Sequence, residues 1–303
     1  MTTLKSILVK YRSEIDNLDL ELLIAHELKQ TREFVLTYPE WTVNRKQESE
    51  INKLITRRLN HEPLAYILGY KEFYGLNFKV TKDTLIPRPE TELLIEEALE
   101  EIARTGKTGL NIVDVGTGSG NIIISIAKAI ESKNLLHTAC YMLYGVDISE
   151  KALKIAKCNA KKHKQDKIKF LKSNLLDHFL KNNEALKQFG NLIILANLPY
   201  LSKKIYSATL PTVKNFEPKS ALYSPKNGLG DYEKLLKQIG NLKNSCFMLP
   251  ACRQAWHVSC FMEISPEQKK DLTSLIKKIL PTAKIRFKKD LAGKWRVCMF
   301  ELI

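Results

Sequence analysis

The tetrapeptide Asn197-Leu198-Pro199-Tyr200, which follows the apolar run NLIILA, combines residue types that can hold a planar NH2 group. Such a group, in a carboxamide or on a nucleobase, carries two N–H donors. The side-chain oxygen of Asn197 can accept one of them and the carbonyl oxygen of Leu198 the other. Pro199 restrains the turn, and Tyr200 offers an aromatic face for stacking. The motif alone is equally compatible with a strand that ends in a proline and a packed tyrosine.

A glycine-rich loop, VDVGTGSGN, lies earlier in the chain between an apolar β-run and a helical pattern. Glycines at such a place let the backbone turn tightly and approach a ligand closely. The spacing is GxGxG and no GK[ST] follows, which argues against a P-loop nucleotide site. The candidate ligand-binding residues are Gly116, Thr117, Gly118, Ser119 and Gly120, and a purely structural turn is the alternative.

Two later strand ends add groups that a nucleoside needs. Asp147 ends the run YMLYGVD, where a carboxylate can accept from both ribose hydroxyls, although it could instead cap the next helix, as Ser149 could. Asn174 and Leu175 follow the third run, where they can bind the edge and the face of an adenine; a turn is the alternative for Asn174. Ligands gather at the carboxyl ends of such strands, where all three elements lie. Together they fit S-adenosylmethionine better than NAD, because the VDVGTGSG form, with Asp114 two residues before the first glycine, is typical of methyltransferases that bind this cofactor.

A planar amine held beside a sulfonium methyl group predicts N-methylation. The lone pair of such an amine is delocalised, so we expect alignment and a preorganised polar site to supply most of the rate. The predicted catalytic residues are Asn197, Pro199 and Tyr200; Leu198 joins them in substrate binding, and Asn197 also contacts the cofactor. A protein that binds S-adenosylmethionine without catalysis is the non-enzymatic alternative.

The elements that would position these residues form an α/β pattern. Residues 1 to about 70 show apolar residues at helical spacing with no strand pattern, and Asp19 is a candidate helix cap. Four strand-like runs then alternate with helices, which predicts a Rossmann-like, mostly parallel sheet, closed by an antiparallel hairpin that turns at Ala292-Gly293. The predicted domains are a helical domain, a β-hairpin linker and a methyltransferase domain, over residues 1–71, 72–88 and 89–303.

Composition and charge limit the possible partners. The 303 residues are 44% hydrophobic, with no apolar run of membrane-spanning length and no signal-peptide pattern, so we expect a cytoplasmic protein without membrane contact. The net charge of +15 indicates weak RNA or ribosome contact, or simply solvated lysine faces. A monomer is the default expectation, since nothing in the sequence indicates an oligomer.

Six cysteines are scattered through the chain without a CxxC pair, at positions 140, 158, 246, 252, 260 and 298. Although the cluster around His257 has several potential ligands, its spacing fits no common zinc pattern. We therefore expect no metal site and reduced thiols.

Several longer stretches resemble the release-factor glutamine methyltransferases, which methylate the side-chain amide of a glutamine in peptide chain release factors. The stretches EPLAYILGYKEFYGLNFKV and LIPRPETELLIEEAL are similar to the linker and the cofactor-flanking motif of that family. VDVGTGSG, GVDIS and SNLLD resemble its cofactor motifs, NFEPKSALYSPKNGLGDYEKLLKQI the segment after the acceptor motif, and DLAGKWRVCMFEL the closing hairpin. The resemblance covers most of the chain.

The resemblance implies S-adenosylmethionine as cofactor and a release factor as protein substrate, with a consequence for translation termination. It implies that the glycine-loop residues, Asp147 and Asn174 or Leu175 bind the cofactor, and that residues 197–200 hold the glutamine. Pro87 and Arg88 would lie near the cofactor pocket, and the N-terminal helical domain would dock the release factor.

The chain departs from the family pattern at two places. The family usually has Asn-Pro-Pro-Tyr, whereas Leu198 replaces the first proline here; the resulting form also resembles rRNA adenine dimethyltransferases, so an RNA or DNA adenine N-methyltransferase is the alternative function. The stretch SCFMLPACRQAWHVSCFMEIS is Cys-rich and free of glycine where the family has a Gly-rich turn and a Leu-rich strand. It indicates a local insertion or a degenerated turn.

Overall fold

The computed structural model describes residues 2–105, 109–135, 141–182, 191–247 and 257–302, without the side chains of residues 105 and 244–247. The chain divides into two compact units. One unit comprises Met1–Lys71 and Leu210–Phe216, and the other comprises Glu72–Thr209 and Glu217–Ile303. The first unit is mainly helical and the second contains the large sheet.

The helical unit has five helices and two short strands in its N-terminal part. They are β1 (Thr2–Thr3), α1 (Leu4–Tyr11), α2 (Asn17–Leu28), α3 (Arg32–Thr37), β2 (Thr42–Val43), α4 (Arg45–Leu59) and α5 (Leu64–Leu68). The pairing of β1 with β2 was missed, because two residues are too short for a pattern. The prediction of Asp19 as a cap was wrong: Asp16 caps α2, and Asp19 instead accepts a hydrogen bond from Arg58. Leu20, Ile24, Ile51 and Ile55 are among the buried core residues of this unit.

The hairpin that the sequence predicts between the two domains is present as β3 (Tyr70–Phe73) and β4 (Leu76–Lys79). Its turn places Tyr74 and Gly75 at positive φ. The chain then runs without regular structure through Pro87 to a 3-10 turn over Pro89–Thr91. This turn leads directly into the first helix of the α/β part.

The second unit continues with an alternation of strands and helices, as the sequence indicates. One helix in this stretch of the chain, α11 (Pro211–Lys214), belongs to the helical unit. The elements of the second unit are α6 (Glu92–Thr105), β5 (Leu110–Val115), α7 (Asn121–Ser132), β6 (Tyr141–Asp147), α8 (Glu150–Lys162), β7 (Lys169–Lys172), α9 (Asp177–Lys181), β8 (Asn191–Ala196), α10 (Lys203–Ser207), α12 (Pro225–Gly228), α13 (Gly230–Phe247), β9 (His257–Glu263), α14 (Lys269–Ile279), β10 (Lys284–Lys289) and β11 (Trp295–Leu302). Short 3-10 turns cover Lys219–Ala221 and Pro266–Gln268.

Seven strands form one sheet in the order β10-β11-β9-β8-β5-β6-β7. The pairs from β9 to β7 are parallel, and β11 and β10 join them antiparallel. The chain starts in the middle at β5, fills one side with β6 and β7, and then returns to the other side of β5 with β8. This reversal creates a crevice at the carboxyl ends of β5 and β8, where doubly wound folds bind ligands. The predicted Rossmann-like class with an antiparallel C-terminal hairpin is confirmed.

Strand β9 corrects the interpretation of the Cys-rich stretch. The C-terminal part of that stretch, His257–Glu263, forms β9, which pairs with β8 on one side and β11 on the other. Every residue of β9 after His257 is buried. The run VSCFME is apolar enough to fill a central position, but the preceding cysteines and the missing glycines hid it. Residues 248–256 lie outside the described residues, and so do Cys140 and Cys252.

Cys158, Cys260 and Cys298 carry free thiols. Within the described ranges, no group of three His, Cys, Asp or Glu side chains is arranged to hold a metal ion. The described helices also include none that is both long and apolar enough to cross a membrane.

Candidate active site

A cavity of about 550 Å3 opens at the carboxyl ends of β5, β6, β7 and β8. Its volume is in the range of small-molecule sites. Eight of the residues predicted from the sequence line it: Gly116, Gly118, Asp147, Asn174, Leu175, Asn197, Leu198 and Pro199. The sheet therefore brings the two groups of predicted site residues, the one for a nucleoside and the one for an amide, to a single cavity.

The glycine loop, residues 116–120, has a backbone that other residues adopt only with strain. Gly116, Gly118 and Gly120 have φ values of 75°, 54° and 81°, all in the left-handed region. A Cβ atom at Gly116 would come within 3.2 Å of Leu198 Cδ2, and one at Gly120 within 2.9 Å of Ile124. The first glycine thus allows the loop to approach the 197–200 turn, and the third allows α7 to start against its neighbours.

Asp147 joins the glycine loop to the end of β6. Its Oδ2 accepts a hydrogen bond from the backbone N–H of Gly118 at 2.9 Å, and its Oδ1 accepts one from the N–H of Ser149 at 2.8 Å. Burial raises the pKa of this carboxyl group, and the backbone donors oppose that shift. Ser149, not Asp147, caps α8, since its hydroxyl accepts the N–H of Ala152. The carboxylate retains lone pairs for a ligand because each oxygen can accept more than one hydrogen bond.

Asn174 and Leu175 form the wall after β7. Asn174 lines the cavity, and its backbone carbonyl accepts hydrogen bonds from the N–H of Asp177 and from the side-chain NH2 of Gln238. Leu175 has a positive φ of 55°, which is unusual for a leucine and turns the chain sharply there. The wall therefore combines a polar edge with an apolar face.

Asn197 and Leu198 contribute different atoms to the opposite wall. Asn197 lines the cavity, and its Nδ2 donates to the hydroxyl of Thr91 at 3.1 Å. Leu198 is 3% exposed, and its side chain packs below Gly116. The group that Leu198 shares with a proline at this place is its backbone carbonyl, whose oxygen lies 3.5 Å from the hydroxyl of the buried Tyr232.

Tyr200 lies behind this wall and does not line the cavity. Its hydroxyl donates to Oε1 of Glu263 at 3.1 Å, and burial raises the pKa of the phenol far above its ordinary value, with the Glu263 carboxylate as the next cause. Its backbone carbonyl accepts from Gln268, and a Cβ atom on Gly228 would collide with that carbonyl at 2.0 Å. The stacking role predicted for Tyr200 remains a prediction.

Five other predicted residues also lie away from the cavity lining. Thr117 and Ser119 are buried: Thr117 donates to Asp114 Oδ2 at 2.6 Å, and Ser119 donates to Asn121. Gly120 serves as the N-cap of α7. Pro87 is buried, and Arg88 forms a short ion pair with the buried Glu217, which also accepts the N–H of Ile86 at 3.2 Å. These contacts hold the cavity wall from behind.

Three buried acidic residues lie around the site, and the sequence interpretation gave none of them a role of its own. Asp114 is fully buried at the end of β5, and burial raises its pKa to about 7 against the hydrogen bond from Thr117. Glu217 is ion-paired with Arg88, and Glu263 accepts from Tyr200. Asp114 and Glu263 end apolar strand runs, where a carboxylate is costly to bury and so indicates a special role. That signal was available in IVDV and in FMEI.

Comparison with known proteins agrees with the fold. A family model described as "Methyltransferase domain" matches residues 106–278, and one described as "PrmC N-terminal domain" matches residues 2–69. The fold and the first match define a class I methyltransferase, which uses S-adenosylmethionine. The chain belongs to the release factor glutamine methyltransferase family, because relatives with that name match it along most of its length.

A release factor glutamine methyltransferase of Bacillus cereus is 33% identical over 283 residues, covering 93% of this chain and 91% of the relative. One of Buchnera aphidicola is 40% identical over 227 residues, covering 74% and 75%. Among solved structures, a human methyltransferase 10 domain containing protein aligns with a TM-score of 0.47 at 15% identity, covering 86% of this chain and 98% of that one. That structural likeness supports no conclusion about the substrate.

Proposed function

We propose that this protein transfers a methyl group from S-adenosylmethionine to the side-chain amide nitrogen of a glutamine in a peptide chain release factor. The observation that carries the proposal is the common cavity of the glycine loop and the acceptor turn, residues 197–200. The names of the relatives add the substrate class, since they are release factor glutamine methyltransferases.

The residues that line the cavity suit the three parts of S-adenosylmethionine that need recognition: the sulfonium end, the ribose and the adenine. Gly116 and Gly118 leave room where a Cβ atom would crowd the acceptor turn or strain the loop, and Asp147 lies beside them with acceptor capacity for a ribose. Asn174 and Leu175 supply a polar edge and an apolar face for an adenine. When bound, this cofactor supplies an electrophilic methyl group on a sulfonium sulfur. The roles of Thr117, Ser119 and Gly120 would be to hold the loop rather than to contact the cofactor.

The acceptor turn would bind the glutamine amide through both of its N–H groups. Asn197 Oδ1 accepts one of them, and the carbonyl of Leu198 accepts the other. Two fixed acceptors hold the amide plane and direct the face of the nitrogen toward the glycine loop, because a planar NH2 group can satisfy both only in one orientation. Alignment of this kind contributes by orientation rather than by acid–base chemistry. Pro199 keeps the turn rigid.

Leu198 fits this function despite its difference from the family pattern. Its side chain is buried against Gly116 and is not required at the substrate. A leucine therefore presents the same carbonyl as a proline. This packing removes one of the two reasons for an adenine substrate; the other, the charge of +15, is compatible with solvated lysines.

The proposal assigns the helical domain, residues 1–71, to release-factor docking and places the reaction in the cytoplasm. Contact with RNA or the ribosome and a monomeric state stay predictions. Sedimentation of the purified protein tests the monomeric state. Retention on ribosomes as the salt concentration is raised tests the contact with RNA or the ribosome, since electrostatic contact weakens with salt.

The decisive test is incubation with methyl-labelled S-adenosylmethionine and a purified release factor, followed by mass spectrometry of its peptides. We expect one added methyl group on one glutamine. The matched controls are the release factor with that glutamine changed to alanine, which should receive no label, and to asparagine, whose shorter side chain should receive far less. Equal labelling of the alanine variant would overturn the assignment.

The same assay with total RNA or DNA tests the adenine alternative. Methylated adenine in the nucleic acid together with an unlabelled release factor would make that alternative the function.

A further inference from the structure

Behind the acceptor turn, four polar side chains form one continuous chain of hydrogen bonds. Asn197 Nδ2 donates to Thr91 Oγ1 at 3.1 Å, and Thr91 Oγ1 donates to Glu263 Oε2 at 2.6 Å. The other oxygen of Glu263 accepts from the Tyr200 hydroxyl at 3.1 Å. Thr91 and Glu263 are each 1% exposed and do not line the cavity. They therefore act on a bound substrate only through Asn197 and Tyr200.

The direction of these hydrogen bonds follows from the number of protons available. A threonine hydroxyl has one proton, and an ionised carboxylate has none. Once Thr91 gives its proton to Glu263, it can only accept from its other neighbour. That neighbour is the amide of Asn197, which must then present its NH2 side to Thr91. The side-chain oxygen is left on the cavity side, where an N–H group of the substrate would need it.

Glu263 accepts in this chain because its two carboxyl oxygens face two hydroxyl donors, Thr91 and Tyr200. Burial raises the pKa of this carboxyl group, while the hydrogen bond from Thr91, the guanidinium of Arg296 and the hydrogen bond from Tyr200 oppose that shift and Glu90 adds to it. The hydroxyl of Tyr232 on α13 donates to the backbone carbonyl of Glu263. The strand, the helix and both neighbouring turns thus hold the carboxylate in place.

We propose that Thr91 and Glu263 are positioning residues that fix the amide of Asn197 in the orientation required for the methyl acceptor. The inference rests on the proposed function and deepens it, since it states why the acceptor turn presents an oxygen rather than an NH2 group. The reversed amide would direct its own N–H group at the N–H group of the substrate, and two donors cannot hydrogen-bond to each other.

The test replaces Thr91 by valine, which has nearly the same shape but no hydroxyl, and by serine, which retains it. We expect T91V to lower kcat for release-factor methylation about tenfold, on the scale of one lost buried hydrogen bond, with little change in KM. T91S should retain most of the turnover. Glu263→Gln, which exchanges one acceptor oxygen for a donor nitrogen, should also lower kcat. The dissociation constant of S-adenosylmethionine should stay unchanged in all three variants.

Ser259→Ala is the matched control for loss of a buried hydroxyl. Ser259 is 2% exposed, lies on the same strand as Glu263 and donates to Glu101 at 3.2 Å, away from Asn197. We expect its turnover to equal that of the wild type. Turnover of T91V equal to that of the wild type, or of T91S as low as that of T91V, would overturn the positioning role.

A second measurement does not depend on methyl transfer. In protein labelled with 15N-asparagine, the side-chain NH2 signals of Asn197 are identified by their loss in Asn197→Ala. Their hydrogen exchange should be slow in the wild type and T91S, and faster in T91V. If the wild type fails to label any release factor, the proposed function fails, and these exchange rates still decide the inference: equal rates in T91V and the wild type overturn it.

Discussion

The glycine loop and the acceptor turn line the same cavity, but they are held in different ways. The glycine loop depends on backbone conformation, with three left-handed glycines and an N–H bound to Asp147 from the next strand. The acceptor turn depends on side chains that are distant in sequence: Thr91 lies 106 residues before Asn197, and Glu263 lies 63 residues after Tyr200. The proposed cofactor site thus depends largely on local backbone conformation, whereas the proposed acceptor site depends on contacts between segments that are distant in sequence.

The largest effect that we expect is a loss of turnover without a loss of cofactor affinity, which distinguishes the acceptor turn from the glycine loop. Asn197→Ala removes one of the two proposed acceptors for the substrate amide, and turnover should fall about 10²–10³-fold, on the scale of a lost preorganised hydrogen-bonding group. Cofactor affinity should change little, because the glycine loop and Asp147 remain. Single-turnover methylation and calorimetric titration with S-adenosylmethionine measure the two quantities. Unchanged turnover would remove Asn197 from catalysis.

The second prediction concerns the buried carboxylate beneath the glycine loop. The pKa of Asp114 is about 7 in the folded protein, against 3.8 ordinarily. The folded state therefore binds a proton more tightly than the unfolded state, and the stability associated with the protonated form is lost as the pH rises toward 7. Asp114→Asn stays neutral and keeps an oxygen for Thr117. Its free energy of unfolding relative to the wild type should rise by about 2–3 kcal/mol between about pH 5 and pH 8.

Urea unfolding of both proteins at several pH values measures this difference. A constant difference across the range would show that the Asp114 side chain does not titrate as its burial indicates. Because the free energy of unfolding of Asp114→Asn is taken relative to that of the wild type, the contributions of the other titrating groups cancel.

The third prediction addresses the cofactor side. Asp147→Ala removes the proposed ribose acceptor and the partner of the Gly118 N–H, so S-adenosylmethionine should bind about 10–100-fold more weakly, as expected for hydrogen bonds to a charged group. The charge-matched control is Glu150→Ala, since Glu150 lies close by in sequence and pairs with Lys172. Calorimetric titration measures both. Equal affinity of the wild type and Asp147→Ala would contradict the placement of the ribose.

The smallest effect is expected for Leu198→Pro, which restores the usual family motif. Because Leu198 supplies a carbonyl and packs its side chain away from the substrate, turnover on the release factor should change no more than a few-fold, on the scale of about 1 kcal/mol. Parallel assays with release factor and with RNA check this prediction. If the wild type and Leu198→Pro preferred different substrates, one the release factor and the other RNA, Leu198 would be shown to select the acceptor.

Much of the α/β part could be predicted from the sequence because its signals are local. The runs around Val113, Val146 and Ile194 are apolar strands, and the glycines between β5 and α7 mark a turn that other residues adopt only with strain. The strand over His257–Glu263 was missed, because the Cys-rich segment before it contains no glycine to mark where the strand begins. Asp16 rather than Asp19 caps α2, since two aspartates lie within one turn and only the backbone geometry distinguishes them.

The sequence by itself determined the chemistry available to this protein: a glycine loop, a carboxylate at the end of β6, and an amide followed by a proline at the end of β8. These features depend on residue type and short spacing, which the order of amino acids states directly. Only the tertiary structure decided which of them share a cavity and what supports them. Thr91, Glu263 and Asn197 meet because β8 and β9 pair in parallel and the 3-10 turn before α6 packs at their ends. No local pattern encodes such a meeting, since hydrogen bonds between distant segments exist only after the chain has folded.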